Sequence, residues 1–248
     1  YREDADSSAI ERSRKRLSAY GCNKIFAKGN FSNIDKILEG HGVKEIQGIV
    51  FDLGVSSYHL DDPGRGFSFL KDGPLDMRMD EGQGFSAEDI VNGFGEEEIA
   101  FILWEYGEER YSRRIARRIC EERRKRRITT TGELDSIIRR AVAGRYKHQR
   151  INPSARSFQA LRIKVNNELE SIKEGVDKAI DFLTGFSRVC VISFHSLEDR
   201  IIKHLFKKAS ADGRVKILTK KPLVPGFDEK KVNKRSRSAK LRVAERLA

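Results

Sequence analysis

The run Gly48-Ile49-Val50-Phe51 is short, apolar and rich in β-branched and aromatic residues, and it stops abruptly at Asp52-Leu53-Gly54-Val55-Ser56-Ser57. A run of this length and kind predicts a buried strand. A second run, Arg188-Val189-Cys190-Val191-Ile192-Ser193-Phe194, has the same character and ends in His195-Ser196. Two such strands predict an α/β sheet in which both are central, parallel and adjacent. Ligands of open α/β sheets gather outside the carboxyl ends of the strands, so an acid followed by a glycine turn is placed there for chemistry. After Ser57 a long connection rich in Gly, Pro and Asp runs as far as Asp80, carrying Phe67, Phe69, Leu75 and Met77. Loops of that length are usually functional or disordered. The interleaved apolar side chains predict an ordered loop packed over a site.

Composition narrows the partners. Lys and Arg number 49 against 37 Asp and Glu, which gives a net charge of +12. Such a surplus suits a polyanion held through its phosphates, and it equally suits a solvated basic surface. Cys22, Cys120 and Cys190 are far apart, odd in number and in no metal-ligand spacing. They predict free thiols in a reducing compartment and no metal site. No apolar run reaches membrane-spanning length and no signal peptide is visible, so the expected address is the cytoplasm, without a membrane partner.

Along the chain, a helix capped by Asp6 or Ser7 and ended by Gly21 is followed by a strand over 24–28. In a nucleotide-binding α/β fold an acid at the end of the second strand binds ribose hydroxyls. Asp4 fits that role, with Glu3 and Asp6 as rivals and a plain helix cap as the simpler reading. Ser32 is expected to cap a short helix with Ile34, Ile37 and Leu38 inward. Over 86–151 the pattern is helical, with Ile99, Ile102, Leu103 and Tyr106 in one stripe and a capping box at Thr130-Thr131-Gly132-Glu133. The run from Arg123 to Arg127 either grips phosphates or forms a solvated helix end. Arg145, Lys147 and Arg150 flank Tyr146 in a basic linker suited to RNA contact by charge and stacking. One long helix is expected after Pro153, ended by Gly185, and Ser196 is expected to cap the helix after the second strand. Further strands are predicted over 215–218 and 241–244. Arg65, Arg78 and Arg200 either hold phosphates or pin the loop to its aspartates, the latter favoured for Arg78. A Ser57–His195–Asp52 hydrolase triad is set aside, because neither serine lies in a G-x-S-x-G elbow. That leaves His195 as a hydrogen-bonding strand-end residue, a group near a target base, or a general base.

The blocks FDLGVSS, LDDPGRGFSF and KDGPLDMRMD, with Tyr106-Gly107-Glu108-Glu109-Arg110, SFQALRI from Ser157, SFHSLEDR from Ser193 and RSAKLRVAE from Arg237, follow one another in order. Together they resemble the bacterial ribosomal RNA small-subunit methyltransferase H family. The resemblance implies a doubly wound, Rossmann-like methyltransferase core from residues 1–85 and 152–248. An all-helical insertion over 86–151 would serve RNA recognition. It implies transfer of a methyl group from S-adenosylmethionine to the exocyclic N4 amine of a decoding-region cytidine in 16S ribosomal RNA. It places Asp52 and His59 against the cofactor, Phe31 beside adenine and Asp4 at the ribose. By pattern alone Phe31 reads as a core residue. His59 stands where the family commonly has Gln, and Tyr58 where Pro is usual. The amine's lone pair is delocalised into the ring, so acceptors such as Ser56 and Ser57 would help to orient it, with His195 nearby. The partner implied is small-subunit ribosomal RNA or a ribosomal particle, and a homodimer stays open. The family also has a first strand and a glycine-rich loop ahead of the position of Tyr1. Neither is present in this sequence, so the expectation is a fragment. A catalytically silent RNA-binding assembly factor is one alternative. A DNA amino-methyltransferase is another, although those enzymes usually carry a Pro-Pro-aromatic motif where this chain has Leu53-Gly54-Val55.

Overall fold

A computed structural model describes residues 1–144, 146 and 152–248. The elements in chain order are β1 (Arg2–Asp4), α1 (Ser7–Leu17), β2 (Phe26–Lys28), α2 (Ile34–Gly40), β3 (Ile46–Asp52), α3 (Ser57–Asp61), α4 (Ala87–Gly93), α5 (Glu96–Gly107), α6 (Ser112–Arg123), α7 (Thr131–Ala141), α8 (Ser154–Asn166), α9 (Glu168–Phe182), β4 (Leu183–Ser193), α10 (Ser196–Ala211), β5 (Val215–Ile217), α11 (Phe227–Val232) and β6 (Lys240–Arg246). They form two compact units, Tyr1–Gly54 with Glu168–Ala248, and Val55–Asn167. No helix among the described residues is long and apolar enough to cross a membrane.

The first unit is the mixed α/β part. Its larger sheet has the order β3-β4-β6-β5, and β1 pairs with β2 in a separate two-stranded parallel sheet. β3 and β4 are parallel neighbours, with Val50 opposite Cys190 and Asp52 opposite Ile192. Of these two strands, β4 is interior. β3 is an edge strand of its sheet, which corrects the expectation that both are central, and its Val50 is 67 % exposed. The pattern that marks a strand is local, whereas its place in the sheet depends on distant partners. β6 runs antiparallel to β4 and β5 antiparallel to β6. The core between sheet and helices is made by Leu38, Phe51, Ile172, Val176, Ile180, Val189, Val191, Ile202 and Phe206. Complete burial of each such side chain stabilises by roughly 1.5–3 kcal/mol before entropy is counted.

The second unit is built on helices and on the long connection. Phe67, Leu75 and Met77 from that connection share one core with Ile90, Leu103, Ile115, Ile138 and Leu161. The chain crosses itself closely: a Cβ on Gly66 would lie 2.2 Å from the Pro74 carbonyl oxygen, and one on Gly73 would lie 1.9 Å from that of Pro63. Gly66 also has φ +70°, so two separate constraints demand glycine there. Arg78 binds Asp76 through two nitrogens, at 2.8 and 2.7 Å, and donates to the Glu81 and Gln83 carbonyls. The loop is therefore ordered, and Arg78 is one of its pins. The helical unit extends beyond 86–151 on both sides, because residues 55–85 and 152–167 pack into the same core.

Several local details differ from the sequence reading. The long helix after Pro153 is two helices, broken where Asn167 takes a left-handed conformation at φ 48°. Asn tolerates that conformation, and the apolar stripe divides at the break, Leu161 and Val165 joining the core of the second unit and Ile172 and Val176 that of the first. α9 gives way to β4 at Leu183, so Gly185 lies inside the strand beside Phe186, which has φ 64°. Asn30, not Ser32, caps the turn ahead of α2 by accepting from the Ser32 amide. His195, not Ser196, caps α10.

Candidate active site

The carboxyl ends of β3 and β4 come together. The Leu53 amide donates to the Ile192 carbonyl at 3.0 Å. Gly54 turns the chain at φ +85°, and a Cβ there would lie 3.7 Å from the Phe194 ring and 3.8 Å from Glu198 Oε1. The backbone thus swings away directly after Asp52 and leaves its carboxyl at the strand end. Asp52 as a residue is open to solvent, yet its carboxyl is crowded by protein atoms. That crowding pushes its pKa above the ordinary carboxylate value, with Arg2 pulling it down and Glu198 adding to the rise.

Across the same edge, α10 starts in a tight capping box. His195 Nδ1 accepts from the Glu198 amide at 3.3 Å, and Glu198 Oε2 accepts from the amides of Phe194 and His195 at 2.7 and 3.2 Å. With Nδ1 accepting, neutral His195 carries its proton on Nε2, which lies 3.2 Å from Glu198 Oε1. Asp199, next in the chain, is held by Arg242 and Lys240 of β6. Asp52 and His195 therefore occupy one edge of one sheet, and the imidazole is fixed there by its cap.

The ends of β1 and β2 supply the remaining candidates of this unit. Asp4 Oδ1 accepts from the Asp6 amide at 3.0 Å, and its carboxylate lies 3.6 Å from Arg2. Asp6 is buried and caps α1, accepting from the amide and hydroxyl of Ser8 and pairing with Arg12. The helix-cap reading therefore belongs to Asp6. Glu3 has a buried Oε1 without a hydrogen-bond partner, and burial, then the charge of Asp4, push its carboxyl up to about 7. Phe31 meets Phe51 edge-on at 5.6 Å, which sets it beside the residue that precedes Asp52. It also packs closely against α9, where a Cβ on Gly175 would come within 2.5 Å of its ring. Phe31 is thus half-buried and held on one side, neither wholly a core residue nor wholly exposed.

Ser56, Ser57 and His59 belong to the second unit. Ser56 caps α3, its hydroxyl accepting from the His59 amide at 3.3 Å, while Ser57 is the exposed first residue of that helix. His59 is buried and stacks on Phe67 at 4.9 Å. Arg65 donates to the carbonyls of Arg78 and Met79, so it too pins the loop. Tyr146 is buried and its hydroxyl donates to the buried Glu109 at 2.6 Å, which removes it from any stacking role on RNA. Arg145, Lys147 and Arg150 lie outside the described residues.

Glu168, His195 and Glu198 place one potential ligand atom each within 4.8 Å of the others. The capping box already uses His195 Nδ1 and Glu198 Oε2, so a cation would have to share the remaining atoms. The sequence reading named Glu3 only as a rival of Asp4 at the ribose and did not single out Glu198 as a site residue. The spacing of three residues from His195 to Glu198 was a readable capping signal, although His is an unusual cap. A buried, protonation-prone Glu3 beside Asp4 leaves no such signal.

The match to known proteins covers this whole architecture. Residues 1–247 match the model of the MraW methylase family. Among curated relatives, proteins named ribosomal RNA small subunit methyltransferase H are similar along almost the entire chain. The one from Clostridium botulinum (strain Loch Maree / Type A3) is 45 % identical over 98 % of this chain and 83 % of its own length. That of Brevibacillus brevis is 46 % identical over 98 % and 82 %, and that of Persephonella marina 47 % over 98 % and 83 %. The chain belongs to the MraW methylase family.

Proposed function

We propose that this chain methylates the exocyclic N4 amine of a cytidine in the decoding region of small-subunit ribosomal RNA, using S-adenosylmethionine. The observation that carries the reading is the Asp52 carboxyl at the carboxyl edge of β3, harder to ionise than an ordinary aspartate. Such a carboxylate gains most from a positive group or hydrogen-bond donors brought against it. The orphaned buried Oε1 of Glu3 adds a second acceptor at the end of β1. A ligand with hydroxyl donors, an ammonium and a sulfonium suits this set, so the residues fit the cofactor. Asp4 would hold the ribose, Phe31 would lie beside the adenine, and Asp52 would complete the contacts of this unit; the family resemblance adds His59, a residue of the other unit. Bound there, the cofactor supplies an activated methyl group.

The protein's remaining work is positioning, because the donor is already activated. Acceptors of the kind the resemblance implies, Ser56, Ser57 and backbone carbonyls at the strand end, would accept from the target amine and hold its lone pair in line. His195, locked by its cap, would shape the edge on which the base rests. The RNA would be held by charge, with Arg145, Lys147 and Arg150 among its contacts, and the reaction would take place in the cytoplasm. Asp52→Asn preserves the size of the side chain and removes its charge. It should weaken S-adenosylmethionine binding in calorimetry and abolish methylation of small-subunit ribosomal RNA, while thermal unfolding stays where it was. A folded variant that binds the cofactor and methylates at the parent rate would defeat the assignment. A parent protein that binds RNA but never the cofactor would favour the assembly-factor alternative.

A further inference from the structure

One row of backbone pairs crosses the larger sheet at the candidate site: Asp52 opposite Ile192, Ile192 opposite Leu241, and Leu241 opposite Leu223. The last pair is closed by two hydrogen bonds of 2.9 Å, Leu223 N to Leu241 O and Leu241 N to Leu223 O. Three strand spacings separate Asp52 from Leu223, about 14 Å. Between Leu223 and Leu241 the chain makes an excursion that contains α11 and a short 3-10 turn. Its own bonds order it: Asn233 accepts from the Arg235 amide, and the buried Ser236 donates to the Asn233 carbonyl.

What this excursion shows to solvent is unusual for the molecule. Phe227 is 81 % exposed and Val232 89 %, with Leu223 and Val224 also exposed. Residues 220–237 hold seven Lys and Arg against two acids, a surplus of five. Among the described residues Lys220, Lys221, Lys231, Lys234 and Arg237 enter no ion pair. Another strongly basic run, from Arg123 to Arg127, is largely spent within the protein. Arg123 donates to the Val91 carbonyl, Lys125 pairs with Glu122, Arg126 with Glu133, and Arg127 with Glu88.

Resting on the methyltransferase reading above, we propose that the 220–237 excursion holds single-stranded RNA flanking the target nucleotide. Its cations take the phosphates and Phe227 gives a base a face to stack on. Aromatic faces among unpaired cations are how proteins hold single strands without reading their sequence. The root of the excursion, on the same pair row as Asp52, sets it beside the nucleotide to be modified.

The test uses the full chain and a labelled short oligocytidylate, titrated at several salt concentrations. Each phosphate contact to a single strand contributes about 0.7 to the slope of log K against log salt. The triple variant Lys231→Ala, Lys234→Ala, Arg237→Ala should therefore lose about 2 from that slope while its S-adenosylmethionine affinity is unchanged. Phe227→Ala should weaken RNA at least about fivefold and Phe227→Trp should not. Replacing Arg124, Lys125 and Arg126 by Ala should change the slope far less. An unchanged slope and affinity in the triple variant overturns the proposal. So does a parent that binds no RNA, or a set of variants that lose binding to phosphatidylserine vesicles and not to RNA. A parent that binds RNA through this segment but no S-adenosylmethionine overturns the methyltransferase reading alone.

Discussion

Gly175 is where the fold can be made to act on the candidate site with one atom. A Cβ on this residue of α9 would stand 2.5 Å from Phe31 Cδ2 and 2.6 Å from the Phe31 carbonyl oxygen. Ordinary carbon contacts lie at about 3.5–4.0 Å, so something must move by about 1 Å. The ring alone cannot relieve the clash, because the carbonyl oxygen belongs to the backbone. The turn cannot swing aside freely either. Asn30 Nδ2 donates to Ser171 Oγ at 3.1 Å, and Lys178 Nζ donates to the Ser32 carbonyl at 2.7 Å, so α9 holds the turn on both sides of Phe31.

Two effects oppose each other in Gly175→Ala. Replacing Gly by Ala inside a helix stabilises by about 1 kcal/mol. Overpacking a close contact costs typically about 1–3 kcal/mol, and a clash with tethered backbone belongs at the upper end. The clash should win by about 1–2 kcal/mol, lowering the midpoint of thermal unfolding by a few degrees. The displaced turn should also carry Phe31 away from Phe51 and weaken S-adenosylmethionine binding. Calorimetric unfolding and a cofactor titration on the same preparation read both effects. Adding Phe31→Ala should recover only part of the stability, since it removes the ring contact and leaves the oxygen. A more stable Gly175→Ala protein with unchanged cofactor affinity would refute the reasoning, for then the turn is not held as described.

Two further outcomes test other parts of the edge. Glu3 goes from an ordinary value of 4.5 to about 7 in the fold. The folded protein holds this proton more tightly than the unfolded chain, so its contribution to stability is present below about pH 4.5 and lost as pH rises through 7. Glu3→Gln should flatten that part of the stability–pH curve obtained from urea titrations, and an unaltered curve would count against a buried, protonated Glu3. His195→Ala should cost about 1 kcal/mol through the lost cap, while His195→Asn, a good capping residue, should restore it. His195→Asn should also lose far less methylation than the roughly 100-fold that removing a general base brings, so an equally deep loss in both fully folded variants would make the imidazole catalytic.

How far the sequence could be read depended on whether the decisive interaction was local. β3 and β4 were legible because apolar runs of strand length end in polar turns, and both strand ends do carry the candidate residues. The capping box at Thr130 was legible because its two partners lie three residues apart. Asn167 was not, since the apolar positions Leu161, Val165, Leu169 and Ile172 keep a helical rhythm through the break. The edge position of β3 was hidden because strand order is decided by residues far apart in the chain. The loop's order was readable from its buried Phe and Met, but not that it would draw residues 55–85 into the helical core. The basic run from Arg123 to Arg127 shows the same limit: its composition was plain, while its partners Glu88 and Glu133 lie elsewhere.

Glu198 ties these local and distant effects together. Its Oε2 accepts from two backbone amides, a task that a glutamine carbonyl could also perform. Capping therefore explains the oxygen at this position and not its charge. The charge is felt elsewhere, where it helps to raise the pKa of Asp52 against the opposing pull of Arg2. An edge so arranged holds acid groups that gain little from one another and more from a cation or donor placed between the strand ends. The helix cap that fixes His195 is thus also part of the field that makes this edge favour a positively charged group.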